Sequence, residues 1–280
     1  MPDRQPPPIQ EAAERLRTAA RTRTPCPPVR DLLPDATART AYAVQNLLTE
    51  SALAEGRRIV GRKVGLTSPA VQAQLGVDQP DFGVLFADMA VGPGAVIDSG
   101  RLLQPKVEAE IAFVLGADLD GADLDADAVR AATDHVVAAL EIVDSRIAGW
   151  DITYADTVAD NASSGLFVLG EQTRPLEGLD LTEVRMQLLD AAGTVVSEGV
   201  GAACLGDPVN AVLWLARTCR DLGSPLRTGE VVLSGALGPM VVATPDSTFT
   251  ATLSGLGGVS TSFSGERLVA SAAGRPSAAG

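Results

Sequence analysis

With 280 residues, 46% of them hydrophobic, the chain can bury a substantial core, either as one domain with a smaller subdomain or as two modest domains. A net charge of −13 argues against nucleic acid as a partner, because an acidic surface repels phosphate backbones. No apolar run reaches the length of a membrane span, and Met1–Pro8 lacks the apolar stretch of a secretion signal, so a cytoplasmic protein is expected; three scattered cysteines, Cys26, Cys204 and Cys219, suit a reducing compartment.

Residues 1–56 read as a helical portion. Ile9, Ala12, Ala13, Leu16, Ala19 and Ala20 recur at helical spacing until prolines between Pro25 and Pro34 interrupt them. A second helix follows, capped by Thr37, with Ala41, Val44, Leu48 and Ala52 on one face and Gly56 as its stop. From Arg58 onward the pattern becomes short apolar runs divided by Gly, Asp and Pro: Ile59–Val64, Ala95–Ile97, Val107–Leu115, Val136–Val143, Leu166–Leu169, Arg185–Leu189, Val231–Leu233, Thr248–Leu253 and Val259–Phe263. Gln79–Gly83 reads as a turn that contains Asp81. A helix starting near Asp125 is expected to end near His135, and a second is framed by Asp207 as cap, Pro208 at its first position and Gly223 at its end. The expected class is α+β: a helical subdomain over 1–56, a β-rich domain over 57–265 with a mostly antiparallel or mixed sheet, and a disordered tail over 266–280.

Glu108 and Glu110 stand one residue apart in the strand-like run Pro105–Val114, so both side chains point to one face while Val107, Ala109 and Ile111 point to the other. Their Cα atoms would lie roughly 6 to 7 Å apart, near enough for both carboxylates to reach one cation. An edge strand with glutamates on its wet face would show the same spacing. Glu141 adds a third acid inside Val136–Val143, where an unpaired charge is costly and a divalent metal would supply the missing positive charge. With one histidine, His135, and no paired cysteine spacing, zinc is disfavoured; all-oxygen ligation points to Mg²⁺ first and Mn²⁺ second. The single histidine also argues against a Ser-His-Asp hydrolase, and a structural role is expected for His135.

Six stretches, in order over residues 35–264, resemble the fumarylacetoacetate hydrolase superfamily, and within it the 2-keto-4-pentenoate (2-hydroxypenta-2,4-dienoate) hydratases of aromatic meta-cleavage pathways. They are Gly61–Ser68, Gln79–Gly83, the Glu108–Glu110 segment, Glu141–Ile147, Asp156–Gly165 and Leu233–Met240. This resemblance implies a rolled or sandwiched mixed sheet, a divalent metal on Glu108, Glu110 and Glu141, and a homo-oligomer that associates with a neighbouring pathway enzyme. The implied reaction adds water to the dienoate to give a 4-hydroxy-2-oxo acid. By the same resemblance Lys63 and Asp81 serve acid/base chemistry, while Asn161, Ser163 and Ser234 contact substrate. From the residues alone, Lys63 reads rather as a surface cation, Asp81 as a turn residue with a local backbone hydrogen bond, and the other three as loop residues.

Two other activities share these features. A metal-dependent 2-oxo-acid decarboxylase, similar to 4-oxalocrotonate decarboxylase, uses a related site, although Gln79–Gly83 and Gly235–Pro239 resemble the hydratase versions. A non-catalytic scaffold subunit is the alternative from a different class, and retention of three acids and Lys63 weighs against it. The chain departs from the hydratase pattern at Asp207, where relatives often carry histidine, and in its proline-rich start.

Overall fold

The structure, a computed structural model, describes residues 8–68, 72–73 and 76–265. The tail expected over 266–280 lies outside the described residues. Helix α1 (Pro8–Thr22) buries Ala12, Ala13, Leu16 and Ala19, the face that the spacing predicts. Thr37 caps α2 (Ala38–Ala54), its hydroxyl accepting from the Thr40 N–H at 3.3 Å, and Gly56 at φ +88° follows the helix end. Both helices share an apolar cluster with Ile147 and with residues 154–159, so the helical portion packs into the β-rich part.

Thirteen strands follow among the described residues: β1 (Ile59–Gly65), β2 (Asp81–Phe86), β3 (Ala90–Val91), β4 (Val96–Ile97), β5 (Pro105–Leu115), β6 (Thr133–Asp144), β7 (Ser164–Leu169), β8 (Arg185–Leu189), β9 (Val195–Val200), β10 (Val231–Ala236), β11 (Val241–Val242), β12 (Thr248–Leu253) and β13 (Gly257–Phe263). Helix α3 (Ala126–Ala132) joins β5 to β6, α4 (Tyr154–Ala159) joins β6 to β7, and α5 (Pro208–Asp221) lies before β10. Asp207 caps α5 by accepting from the Val209 N–H at 2.9 Å, with Pro208 at its start.

Eight strands form the larger sheet in the order β2-β1-β10-β5-β6-β7-β3, with β11 paired to β5. It is mixed, since β1 runs parallel to β10 and β3 to β7 while the other pairs are antiparallel. The smaller sheet has the order β4-β13-β12-β8-β9. The expected α+β class holds. One expectation is corrected: Asp81 opens β2 rather than sitting in a turn. All six β2 residues are buried, so the strand lacks the alternation that would reveal it, while Pro80 and Gly83 imitate turn signals. Strand β9 was also outside the expected set, because Ser197, Glu198 and Gly199 interrupt its valines and four of its six residues are exposed. No helix among the described residues is long and apolar enough to cross a membrane.

Candidate metal centre and active site

The β5–β6 hairpin sets Glu108 directly opposite Glu141, and Glu110 opposite Ala139. One carboxylate oxygen from each of Glu108, Glu110 and Glu141 lies within 4.8 Å of the others. Glu110 and Glu141 are buried, Glu108 is half-buried, and Val107, Ala109 and Ile111 fill the opposite face of β5 as the alternation requires. Like charges placed opposite each other in a sheet are destabilising, so this register needs a cation.

Lys63 supplies one positive charge. Its Nζ lies 3.0 Å from Glu141 Oε1, and the side chain is 4% exposed, which rules out a surface cation. In a flat sheet β1 and β6, three spacings apart, would be separated by roughly 14 Å. Side chains that stand roughly perpendicular to a flat sheet would not meet across that distance, so the contact reports a sheet curled around this face. Burial by itself would lower the Lys63 pKa; Glu141, Asp81, Glu108 and Glu110 outweigh it and hold the ammonium above the ordinary lysine range. This is the opposite of the downward shift that a neighbouring dication alone would cause.

Glu110 is fixed by a bulge. Between the pairs Leu233–Ala112 and Ala236–Glu110 the register of β10 shifts, and Ser234 and Gly235 occupy the irregularity. The Gly235 N–H donates to Glu110 Oε2 at 2.8 Å. Gly235 has φ +117°, and a Cβ there would sit 2.4 Å from Thr67 Oγ1. Gly235→Ala is therefore expected to displace the bulge and to weaken Mg²⁺ binding about 10- to 100-fold, the range for groups that orient a metal ligand; calorimetric titration of the variant checks this.

The second oxygens of these acids also suit a hard cation. Glu110 Oε1 and Glu141 Oε2 are buried without a hydrogen-bond partner, in a set of donors that is entirely oxygen. Burial, followed by repulsion from Glu141, pushes the Glu108 carboxyl up to about 7, and burial with the neighbouring acids raises Glu110 well above its usual range. An acid whose folded pKa exceeds its unfolded value opposes folding as pH rises between the two. The metal-free protein is thus expected to lose stability from about pH 4.5 to about pH 7, the interval that Glu108 spans. Binding a dication requires the ionised forms, so Mg²⁺ affinity should increase with pH through this window and uptake within it should release protons. Calorimetry in buffers of different ionisation enthalpy measures that release; an equal heat in all buffers at pH 6 would contradict the assignment.

Asp81 faces the same side. Antiparallel pairing puts it opposite Gly65, two residues from Lys63. A Cβ on Gly65 would lie 2.2 Å from Asp81 Oδ1 and 3.6 Å from Lys63 Nζ, so this glycine leaves the space in which the two groups approach. Asp81 Oδ2 accepts from the Thr157 hydroxyl at 3.3 Å, while Oδ1 is buried without a partner. Burial raises the Asp81 pKa, Lys63 opposes the rise, and Glu141 adds to it, with a net upward shift.

Asn161, Ala162 and Ser163 form a left-handed turn, with φ of 55°, 50° and 54°. Such backbone costs roughly 1–2 kcal/mol per residue, so neighbouring contacts must hold it. Asn161 does so: its Oδ1 accepts from the Val84 N–H at 2.7 Å and its Nδ2 donates to the Val84 carbonyl at 2.9 Å. Each end of this carboxamide bonds to Val84, so Asn161 supports the turn, and a contact with substrate would use its remaining N–H or lone pair. Ser163 and Ser234 differ, since their hydroxyls are buried and unpartnered.

His135 sits near the start of β6, half-buried, with Nδ1 2.6 Å from Asp134 Oδ2 and six residues from Glu141. Sequence reasoning missed Thr157, Gly65 and Thr67, whose roles arise only when distant segments meet.

A profile described as fumarylacetoacetate (FAA) hydrolase C-terminal matches residues 58–264. The chain is 53% identical, over 259 residues, to 2-keto-4-pentenoate hydratase of Paraburkholderia xenovorans (strain LB400), an alignment covering 92% of this chain and 96% of the relative. It is 41% identical to 2-hydroxyhexa-2,4-dienoate hydratase of Comamonas testosteroni over 91% of this chain and 97% of that protein. Among solved structures, 4-oxalocrotonate decarboxylase from Pseudomonas putida G7, complexed with magnesium and adipate, superposes with a TM-score of 0.87 at 35% identity, covering 91% of this chain and 97% of the other.

Proposed function

Since the chain belongs to the fumarylacetoacetate hydrolase family, we propose from its site how it acts as a hydratase: it adds water to 2-hydroxypenta-2,4-dienoate, or a close analogue, to give a 4-hydroxy-2-oxo acid. The observation that carries the mechanism is the convergence of Glu108, Glu110, Glu141, Lys63 and Asp81 on one face of a curled sheet. Glu108, Glu110 and Glu141 would hold a dication, Mg²⁺ in the first place and Mn²⁺ in the second. When bound, the ion supplies Lewis-acid charge that favours negative charge building up on a 2-oxo acid.

Lys63, ion-paired with Glu141 and close to Asp81, presents a positive charge toward the substrate carboxylate or a developing oxyanion. Ser163 and Ser234 offer buried hydroxyls to the same carboxylate. Asp81, whose burial favours the acid form, carries the protons. It delivers one to C5 of the dienoate, leaving a conjugated 2-oxo-3-enoate. As a carboxylate it then takes a proton from the water that adds at C4, and it passes that proton to C3. The proton of the 2-hydroxyl leaves to solvent as the enol ketonises, and one taken up from solvent after C3 is protonated restores the acid form of Asp81.

The test is incubation of the purified protein and Mg²⁺ with freshly generated 2-hydroxypenta-2,4-dienoate, with the product identified by mass. Gain of water supports hydration. Loss of CO₂ from 4-oxalocrotonate, with no hydration, would favour the decarboxylase reading that the solved structure at 35% identity keeps in view. A protein that binds neither Mg²⁺ nor Mn²⁺ would return the scaffold reading.

A further inference from the structure

Strand β2 is the edge of the larger sheet, and an edge strand leaves alternate N–H and C=O groups unpaired. Here side chains from the helices pair them. The Phe82 N–H donates to the Tyr42 hydroxyl at 3.3 Å, and the Phe82 carbonyl accepts from Gln45 Nε2 at 2.9 Å. Gln45 Nε2 also donates to the Val158 carbonyl of α4 at 3.0 Å. The Tyr154 hydroxyl donates to the Pro80 carbonyl at 3.1 Å and receives a hydrogen bond from Tyr42. The Tyr42 ring stacks on Phe82, with centroids 4.7 Å apart.

Both peptides flanking Asp81 are therefore held from α2 and α4, and its carboxyl is held by Thr157 of α4. The geometry points to Tyr42, Gln45 and Thr157 as positioning residues that clamp Asp81 so that Oδ1 stays turned to Lys63 and the substrate. The helical amino-terminal portion is in this way part of the catalytic apparatus. The clamp rests on the hydratase reading above for the chemistry that Asp81 performs. A purely structural strap would stabilise β2 without regard to which group stands at position 81, and that difference is measurable.

The experiment is a pair of double-mutant cycles, Tyr42→Phe and Thr157→Val each crossed with Asp81→Asn, with Thr157→Ser as the conservative control. Tyr42→Phe keeps the stacked ring, and thermal unfolding confirms that each variant is folded. The clamp predicts that Tyr42→Phe and Thr157→Val lower kcat about 10- to 100-fold, the scale of a misplaced reacting group, with KM and Mg²⁺ affinity unchanged. Thr157→Ser should restore kcat, and neither loss should appear once Asp81 is Asn. Wild-type kcat in both variants, or losses that multiply in the Asp81→Asn background, would overturn the clamp. Placement is also read without turnover: the infrared carboxyl band of Asp81, isolated as the wild-type minus Asp81→Asn difference, should shift in Tyr42→Phe and Thr157→Val, and an unmoved band counts against the clamp. A wild-type enzyme that fails to hydrate the dienoate while this band still shifts would remove the hydratase reading and leave the clamp standing.

Discussion

Glu110→Gln is expected to abolish turnover and to weaken Mg²⁺ binding by more than about 100-fold, beyond the range for groups that merely orient a ligand. The amide has nearly the volume of the acid but cannot serve both of its contacts. If its oxygen accepts from the Gly235 N–H, as Glu110 Oε2 does at 2.8 Å, its NH₂ points into the cluster where the unpartnered Oε1 now lies. If it turns over, the Gly235 N–H loses its acceptor. Stability should move in the other direction, because one of three mutually repelling acids has gone. The metal-free variant should unfold at a temperature equal to or above that of the wild type, while the rise in Tm on adding Mg²⁺ disappears. Scanning calorimetry with and without Mg²⁺, alongside the hydration assay, reads both effects. Wild-type activity or an unchanged Mg²⁺-dependent shift would remove Glu110 from the site.

Lys63→Met carries the second large effect. Removing one member of a buried ion pair leaves its partner uncompensated and typically costs about 3–5 kcal/mol. Here that partner is Glu141, 1% exposed, whose Oε1 has Lys63 at 3.0 Å. Loss of the fixed charge beside the substrate should also lower kcat by about 10²–10³-fold, the scale for a preorganised electrostatic group. The two losses separate in Mg²⁺. A dication on Glu141 replaces the missing charge, so saturating Mg²⁺ should recover much of the stability and none of the rate. Denaturant unfolding with and without Mg²⁺, together with kcat, tests this, and a variant as stable and active as the wild type would return Lys63 to the surface-cation reading.

Local signals in the chain were enough for α1, α2 and α5 and for half of the site, whereas α4 went unread and α3 ends at Ala132, short of the expected end near His135, which lies in β6. Thr37, Gly56, Asp207, Pro208 and Gly223 mark helix ends through caps and turns that involve only neighbouring residues, and each stands where the spacing predicts. The one-residue spacing of Glu108 and Glu110 determined that both face the same way, because the two-residue repeat of a strand is a property of the backbone itself. The apolar flanks of Glu141 likewise marked it as buried before its partner was known. Asp81 was misplaced because a strand buried on both faces carries no alternation, and the support that Asn161 gives its turn is invisible locally because its partner, Val84, is 77 residues away.

Register and curvature were decided only by the tertiary structure. Glu141 meets Glu108 rather than its neighbour because β6 pairs with β5 in one alignment, and a slip of one residue would turn it to the opposite face. Lys63 reaches Glu141 across two intervening strands because the sheet curls, and Tyr42 and Gln45 reach β2 because the amino-terminal helices pack with α4. Side-chain type and local spacing are written in adjacent residues, whereas the meeting of distant ones depends on how whole faces pack, and no stretch of sequence holds that information alone.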